Sequence, residues 1–439
     1  MMGQSKNDDQ AQSQKVKPIA ELQDTVRRHS LYSRGARSGV ANHSATTRNL
    51  QLDFLRFVAI LGVLMTHTTI FCPPSSWWGY LIVSRGWTGV DLFFVLSGFL
   101  ISGLLFSEYQ RTKNINFGRF AIRRALKLYP TLYFLVFGVM FFRLIRDGFA
   151  QISTILTPVL HDIFFVQSYL PGTYGHFWSL SVEEHFYIIL PFTLYFMLRW
   201  RGTGDPDPFR GLPLLFLMVA IFSLSARIIN AIMVQPYSIS THLFPTHFRM
   251  DSLLFGVLLS YWYRFHPEKF RVGIKMAGPW LFPLSFLLLA PTLWCDGSNF
   301  FTFTFLLSLN YLGYGLLLIA SLQLQIPLRN RYIVTAMLWP FIYIGRHSYP
   351  IYVFHILVAS CLQELGLLQG WSGLLLYYTS TISIGIVISK LIEFPVLRVR
   401  DRIFPPRVQD PVPAPLSFPA ESQNLRLDED FARDVVKAS

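Results

Sequence analysis

Charged residues are scarce in this chain: they make up 14% of its 439 residues, while apolar residues make up 52%. Soluble domains carry about 25% charged residues, so this composition excludes a soluble fold, and it equally excludes a disordered or collagen-like chain. Forty phenylalanines, twenty tyrosines and ten tryptophans provide aromatic rings of the kind that collect where hydrocarbon meets lipid headgroups. The composition therefore predicts a polytopic membrane protein. We expect it to be all-α and to lie in the cytoplasmic (inner) membrane.

Cysteines and acidic residues are also few. The three cysteines, Cys72, Cys295 and Cys361, are too scattered for a disulfide framework or a zinc cluster, so no metal is predicted. Lysine and arginine outnumber aspartate and glutamate by 38 to 25, which gives a net charge of +13. In a soluble protein this excess would suggest nucleic acid. In a membrane protein, basic loops beside anionic lipids explain it better, so we expect membrane lipids and no nucleic acid as partners.

The first fifty residues lack any long apolar run, which predicts that the chain carries no cleavable signal peptide. We interpret residues 1–50 as a disordered basic cytoplasmic tail, residues 51–400 as the membrane domain and residues 401–439 as a second cytoplasmic tail. A membrane crossing takes roughly 20 helical residues. On that basis we predict about ten spans, at residues 52–71, 88–106, 129–146, 177–198, 212–230, 248–263, 277–295, 301–321, 347–368 and 372–393.

The distribution of basic residues agrees with this count. Lysines and arginines concentrate in every second connection, which places both termini on the cytoplasmic side. Two further apolar stretches are predicted to be re-entrant or interfacial pieces. Residues 152–170 contain Pro158 and Asp162, and residues 334–344 are short and contain Pro340.

Two ionisable residues, Arg56 and His67, lie in the first predicted span. Their spacing places both side chains on one helix face, about 16 Å apart along the axis. A histidine titrates near neutrality and serves as a general base, so we favour a catalytic role for His67. Two structural alternatives stay open: Arg56 extends to the membrane interface, and His67 is a hydrogen-bonded packing group.

A second polar motif begins the fourth predicted span. Ser179, Glu183 and Tyr187 recur at intervals of four residues and share a helix face, while Glu184 lies beside them. In the predicted topology Glu183 reaches about the depth of His67, so we expect this carboxylate to orient the imidazole. The alternative is that both carboxylates are stabilised by the positive end of the helix.

Other ionisable residues fall within or at the ends of predicted spans. Asp91, Arg249 and Asp251 fall in one layer, where structural salt bridges are the favoured interpretation. His355 lies in the middle of the ninth predicted span, either as a functional group or as a hydrogen-bonded core histidine.

A strip of positive charge precedes the third predicted span. Arg119, Arg123 and Lys127 recur at intervals of four on an amphipathic helix that is predicted to end before Pro130. Lipid headgroups are one partner for this strip. A polyphosphorylated cofactor held by Arg123, Arg124 and Lys127 is the other, because guanidinium and ammonium groups on one face suit phosphates.

Taken in order, these motifs resemble the membrane-bound acyltransferase-3 family of integral membrane O-acyltransferases. The resemblance is carried by Arg56 with His67 and by residues 123–130, 178–187, 249–256 and 345–355. It implies transfer of an acyl group, usually acetyl from acetyl-CoA, to a hydroxyl group of a carbohydrate-containing acceptor. It also implies that Arg56 and His67 are the essential pair, with Glu183 in a further motif. The family pattern has arginine at the position of Lys127.

Two matters stay open at this point. Some members of the family carry an esterase-like domain outside the membrane, whereas here only about forty residues follow the last predicted span. We therefore expect the chain to act alone or to pass its acyl group to a separate extracytoplasmic transferase. The rival hypothesis is a proton-coupled secondary transporter, with a relay through Arg56, His67, Asp91, Glu183 and His355, although no inverted repeat is visible.

Overall fold

The computed structural model describes residues 49–71, 85–202, 204–295, 299–324 and 328–405. Within these ranges the regular structure is helical and contains no strand. The main helices are α1 Leu50–Phe71, α2 Gly89–Thr112, α3 Phe117–Asp147, α4 Ile152–Ile163, α5 Trp178–Arg201, α6 Leu212–Met233, α7 Met250–Phe265, α8 Pro267–Leu289, α9 Leu307–Gln323, α10 Leu328–Arg346, α11 Ser348–Glu364, α12 Gly370–Ile388 and α13 Phe394–Ile403. Single helical turns lie at Ile239–His242 and Pro291–Trp294. The predicted tails at residues 1–48 and 406–439, as well as Cys72, lie outside the described residues.

Six helical segments are long and apolar enough to cross a membrane, which confirms a multi-pass helical protein. They are Leu50–Thr68, Gly86–Thr112, Phe117–Asp147, Leu212–Met233, Pro267–Trp294 and Thr302–Gln323. The other four predicted spans also fall on helices, but α7 and α11 have only 16 and 17 residues, below the roughly 20 of a full crossing. Ten crossings and the side of each terminus therefore stay predictions.

The basic strip and the third predicted span form one helix, which corrects the expected break before Pro130. Asn116 caps the start of helix α3 by accepting a hydrogen bond from the Arg119 backbone at 2.9 Å, and the helix continues from Phe117 through Pro130 to Asp147. A proline inside a helix removes one backbone donor. Tertiary packing outweighs that loss here, because Leu128, Thr131 and Leu132 are buried on both sides of the proline.

Two segments were expected to be re-entrant or interfacial. Residues 152–170 contain the 12-residue helix α4, which is too short to cross a membrane, followed by irregular chain in which Gln167 and Ser168 are buried. Residues 334–344 do not form a separate short piece, because they lie inside the 19-residue helix α10.

Helix α2 lies at the centre of the fold and packs closely along α7. Gly98 of α2 and Gly256 of α7 face each other at the crossing, and a side chain on either would collide with the backbone of the other helix. Small residues permit such close approach between membrane helices. This contact fixes α2, which forms one wall of the site described below.

Two buried ion pairs stabilise the α2, α6 and α7 region. Arg249 pairs with Asp91, and Arg227 binds Asp251 at 2.8 Å. The side chains of all four residues are at most 2% exposed. Arg249 and Asp251 therefore do not pair with each other. Arg227 belongs to this ion-pair network but was not identified from the sequence motifs, although it is a charged residue inside a predicted span.

Candidate active site

An elongated cavity of about 390 Å³ lies between α1, α2, α3, α5 and α11 and is also lined by a residue of α13. Along α2 its lining runs from Val90 to Glu108, which corresponds to about 27 Å of helix. Six basic side chains line it, namely Arg56, Arg119, Arg123, Arg124, Lys127 and Arg400, against the acidic Glu108 and Glu183. Basic side chains thus outnumber acidic ones in the lining, which suits an anionic, elongated ligand.

The two ends of the cavity differ in chemistry. Glu108, Arg119, Arg123 and Arg400 belong to the end formed by the last turn of α2, the first turns of α3 and the helix α13. Near the start of α2 the lining consists mainly of apolar and aromatic residues, with the hydroxyl groups of Ser179 and Tyr352. A ligand with a charged head and a less polar tail fits this gradient.

Glu183 is held by a hydrogen-bonded cluster inside the cavity. Its carboxylate lies 3.3 Å from the Arg124 guanidinium and accepts hydrogen bonds from Ser97, at 3.1 Å, and from the Tyr187 hydroxyl. The Arg124 guanidinium also lies 3.9 Å from the centre of the Tyr187 ring. Sequence reasoning had assigned Arg124 to the phosphate-binding strip, whereas the structure directs it toward Glu183.

His67 lies in a separate cluster of three histidines. Its ring is 4.7 Å from that of His355, and the His355 ring is 4.5 Å from that of His176. The expected hydrogen bond between His67 and Glu183 is not formed, because the Arg124 cluster holds the carboxylate and His67 binds the backbone of Val63. His355 joins His67 as a neighbour. The motifs missed His176, although it stands two residues before Trp178 in the sequence.

The hydrogen bond of His67 defines its proton position. Nδ1 lies 2.8 Å from the Val63 carbonyl, so this nitrogen donates. In a neutral imidazole the other nitrogen, Nε2, then carries the lone pair that accepts a proton. The same arrangement occurs at His355, whose Nδ1 lies 2.5 Å from the Tyr352 carbonyl. With Nδ1 held by a carbonyl, Nε2 is the nitrogen of each ring that is available to accept a proton in general-base catalysis.

Tyr352 and Ser179 form the wall between the cavity and the histidine cluster. The Ser179 hydroxyl lies 2.6 Å from the Tyr352 hydroxyl, which donates to the His176 carbonyl at 2.7 Å. The Tyr352 ring lies 5.4 Å from His176 and 5.5 Å from His355. Both residues line the cavity, whereas the three histidines do not. Ser179, which the sequence motifs had indicated, thus lines the cavity. Tyr352 also lines it, although the motifs did not single it out.

The loop that carries His176 is fixed by a buried carboxylate. The Asp162 Oδ2 atom accepts a hydrogen bond from the Thr173 backbone at 3.0 Å, and Asp162 is fully buried. Burial raises the pKa of this carboxyl group. Asp162 therefore positions the segment between α4 and α5.

Arg56 lines the cavity and is held by an acidic residue one helical turn earlier. Its guanidinium binds Asp53 at 2.6 Å, and the second oxygen of that buried carboxylate binds Arg346 of α10 at 3.2 Å. Arg56 and His67 therefore lie in different surroundings, the first beside the cavity and the second in the histidine cluster. The remaining predicted residues lie outside the cavity lining: Asp91, Glu184, Tyr187, Arg249, Asp251 and His355.

Glu184 points away from Glu183 and accepts a hydrogen bond from the Tyr129 hydroxyl at 3.2 Å. Among the described residues no group of histidine, cysteine, aspartate and glutamate side chains is arranged to hold a metal ion.

The helical bundle and the basic cavity define a membrane protein with a site for an anionic, elongated ligand. Comparison with known proteins then gives the family. Residues 49–391 match the model of the acyltransferase-3 family, described as an acyltransferase domain. The chain belongs to this family, which confirms the prediction from the ordered motifs. The match favours acyl transfer over the secondary transporter.

Several curated proteins are similar to this chain. The O-acetyltransferase OatA of Staphylococcus aureus (strain NCTC 8325 / PS 47) is 28% identical over 327 residues, which cover 69% of this chain and 49% of that protein. The peptidoglycan O-acetyltransferase OatA of Listeria monocytogenes is 26% identical over 324 residues, covering 69% of this chain and 48% of that protein. The chain thus spans about half the length of the relatives that it matches. No solved structure matches the chain.

Proposed function

We propose that this protein is an O-acyltransferase that moves an acetyl group from acetyl-CoA to a hydroxyl group of a carbohydrate polymer. The observation that carries the proposal is the cavity, whose basic end suits donor phosphates and whose lining includes Tyr352, a residue in contact with the histidine cluster. The two OatA proteins named above are O-acetyltransferases, and one is named for peptidoglycan. Peptidoglycan or a related glycan is therefore the acceptor class that we favour.

In this proposal the donor phosphates bind at Arg123 and Lys127, which line the cavity at its basic end. Arg124 contributes by holding Glu183, because its guanidinium already contacts that carboxylate and the Tyr187 ring. The pantetheine arm then extends along α2 and brings the thioester toward Ser179 and Tyr352. Arg56 lies along this path.

The chemistry that we propose needs one base. The thioester reaches the wall from the cavity side, and the acceptor hydroxyl approaches it from the side of the histidine cluster. The hydroxyl attacks the thioester carbonyl and gives its proton to His67 Nε2, and the same proton then neutralises the departing CoA thiolate. The carbon–sulfur bond breaks as the new ester bond forms. The Ser179 hydroxyl, which lines the cavity, donates toward the oxyanion, since hydrogen-bond donors in a water-poor site stabilise developing charge. Tyr352 donates its own proton to the His176 carbonyl and holds the Ser179 hydroxyl in place. His355 packs against the His67 ring, and His176 packs in turn against His355.

The experiment is a transfer assay with purified protein in lipid nanodiscs. Acetyl-CoA labelled in the acetyl group is mixed with soluble glycan strands, and the label that becomes attached to glycan is measured after separation. We expect a base-labile ester that forms only with protein and acceptor present. Release of free acetate without glycan labelling would argue for a hydrolase, and no turnover of acetyl-CoA at all would reject the proposal.

We also propose an inner-membrane location with ten crossings and both termini in the cytoplasm, so that the basic end of the cavity faces the compartment where acyl-CoA is made. Asn114 and Ser153 are exposed residues beyond opposite ends of α3, which is about 46 Å long. Single cysteines at these positions, in a background without native cysteines, are labelled with an impermeant maleimide on intact cells. We expect labelling at residue 153 and not at residue 114; the reverse pattern would invert the orientation.

A further inference from the structure

The last helix of the described chain, α13, lies across the basic end of the cavity. The Arg119 and Arg123 guanidinium groups donate hydrogen bonds to the backbone carbonyls of Pro405 and Phe404, respectively. Arg400 of the same helix lines the cavity. The end of the described chain thus contacts Arg123, to which the proposed function assigns donor binding. It also contacts Arg119, which lies one helical turn before Arg123.

A carboxylate of this helix lies between two guanidinium groups. The Asp401 Oδ1 atom is 3.0 Å from Arg123 Nη2 and 2.8 Å from Arg400 Nη2. Both arginines line the cavity, and Asp401 does not. The Asp401 side chain is 44% exposed, compared with 22% for Arg123 and 15% for Arg400. The anion of this triad is therefore its most exposed member.

Arg123 and Arg400 have the geometry of an anion-binding site that is occupied by the protein's own Asp401 carboxylate. Guanidinium groups bind phosphate oxygens with the same fork of N–H donors that they offer to carboxylates, and a phosphate provides more acceptor oxygens than a carboxylate. An ion pair with a half-exposed carboxylate contributes little to stability, so Asp401 can be displaced at small cost. The two arginines, being more buried, stay in place to receive the incoming anion.

We propose that Arg400 is a donor-binding residue and that a phosphate group of acyl-CoA takes the place of the Asp401 carboxylate between Arg123 and Arg400. Asp401 then acts as an internal competitor that lowers the affinity for the donor and prevents an unpaired cluster of arginines when the site is empty. This inference rests on the proposed function, since it concerns the same donor. It makes the C-terminal helix part of the binding site.

The test is direct binding of CoA to the full-length protein in nanodiscs, measured by calorimetry for the native chain and five variants. Asp401→Asn removes the competitor and is expected to tighten CoA binding several-fold, a gain that misfolding cannot imitate. Arg400→Gln is expected to weaken binding roughly tenfold, the usual effect of losing a hydrogen bond to a charged group, whereas Arg400→Lys recovers part of the loss. Arg402→Gln is the matched control, since Arg402 is exposed on the same helix and does not line the cavity.

The outcomes separate this inference from the proposed function on which it rests. Arg123→Gln is measured as a fifth variant, because the proposed function already requires it to weaken CoA binding. If Arg123→Gln has no effect, the assignment of the donor site itself fails. If Arg123→Gln weakens binding while Arg400→Gln behaves like Arg402→Gln, only the role of Arg400 is overturned. If Asp401→Asn binds CoA no more tightly than the native chain, the proposal that Asp401 competes with the donor is rejected.

Discussion

Ionisable side chains occur in two regions of this bundle that differ in their surroundings. In the buried network of α2, α6 and α7, Arg249 with Asp91 and Arg227 with Asp251 are at most 2% exposed. In the cavity, Arg124 and Glu183 are 12% and 15% exposed. Both regions look alike in the sequence, as charges within or beside apolar spans. The difference teaches that access to the cavity, and not the presence of a charge within or beside a span, separates the residues proposed to bind the donor from those that form structural ion pairs.

The strongest test of this comparison is removal of the proposed base. His67→Ala is expected to lower acetyl transfer about 10²- to 10⁴-fold, the usual effect of losing a general base, with little change in the thermal unfolding of the purified protein. His161→Ala is the matched control, since His161 lies outside both the cavity lining and the histidine cluster. Near-native turnover in a folded His67→Ala protein would show that the chemistry lies elsewhere.

The second test concerns the buried network. Arg249→Ala leaves Asp91 buried without its cation, which is expected to cost about 3–5 kcal/mol in the free energy of unfolding. Arg123→Ala in the cavity breaks an ion pair with the half-exposed Asp401, and its effect on unfolding is expected to be at most about 1 kcal/mol. Both are measured by chemical unfolding in detergent.

A double variant sharpens that result. Arg249→Met combined with Asp91→Leu removes both charges together and should recover much of the lost stability, because no buried charge remains unpaired. If the single and double variants are equally unstable, the ion pair is not the origin of the effect.

The third test addresses the correction at Glu183. A double-mutant cycle with Glu183→Gln and Arg124→Gln is expected to give a coupling energy of about 0.5–3 kcal/mol in unfolding, as residues in one hydrogen-bond network do. The same cycle with Glu183→Gln and His67→Ala is expected to be additive within about 0.5 kcal/mol. Strong coupling in the second cycle would restore the pairing that the sequence had suggested.

The smallest expected effect is at the wall between cavity and histidines. Tyr352→Phe removes the hydroxyl that binds Ser179 and the His176 carbonyl and should cost about 0.5–1.5 kcal/mol in unfolding. Tyr195→Phe is the control, since Tyr195 is 45% exposed and lies outside the cavity lining. Equal effects of the two substitutions would show that the wall hydrogen bonds add nothing to stability.

Local sequence identified much of the candidate site. Arg56, Arg123, Lys127, Ser179 and Glu183 were selected as polar residues near or within apolar helices, and all five line the cavity. Helical periodicity was sufficient for this, because it decides which residues share a face. Helical periodicity did not predict the partner of Arg124. This residue lies in the segment of the basic strip, but it binds Glu183, which is 59 positions away along the chain.

The residues that the sequence missed have their partners far away along the chain. His176 joins the histidines only because the segment after α4 folds back against α11, and Tyr352 contacts His176 across 176 positions. Arg227 has its carboxylate on another helix, 24 positions away. No periodic pattern carries such information.

The sequence by itself determined the helical membrane class, the family and the faces on which charges lie, because hydrophobicity and the helical repeat act over a few residues. Tertiary structure decided which charge meets which partner. Tertiary packing paired Asp91 with Arg249 across 158 positions of the chain. It also brought Glu183 to Arg124 and Arg400 of α13 to the cavity. The physical reason is that an ion pair forms only where packing brings two helices together, and helix packing depends on the shapes of whole helices rather than on local sequence.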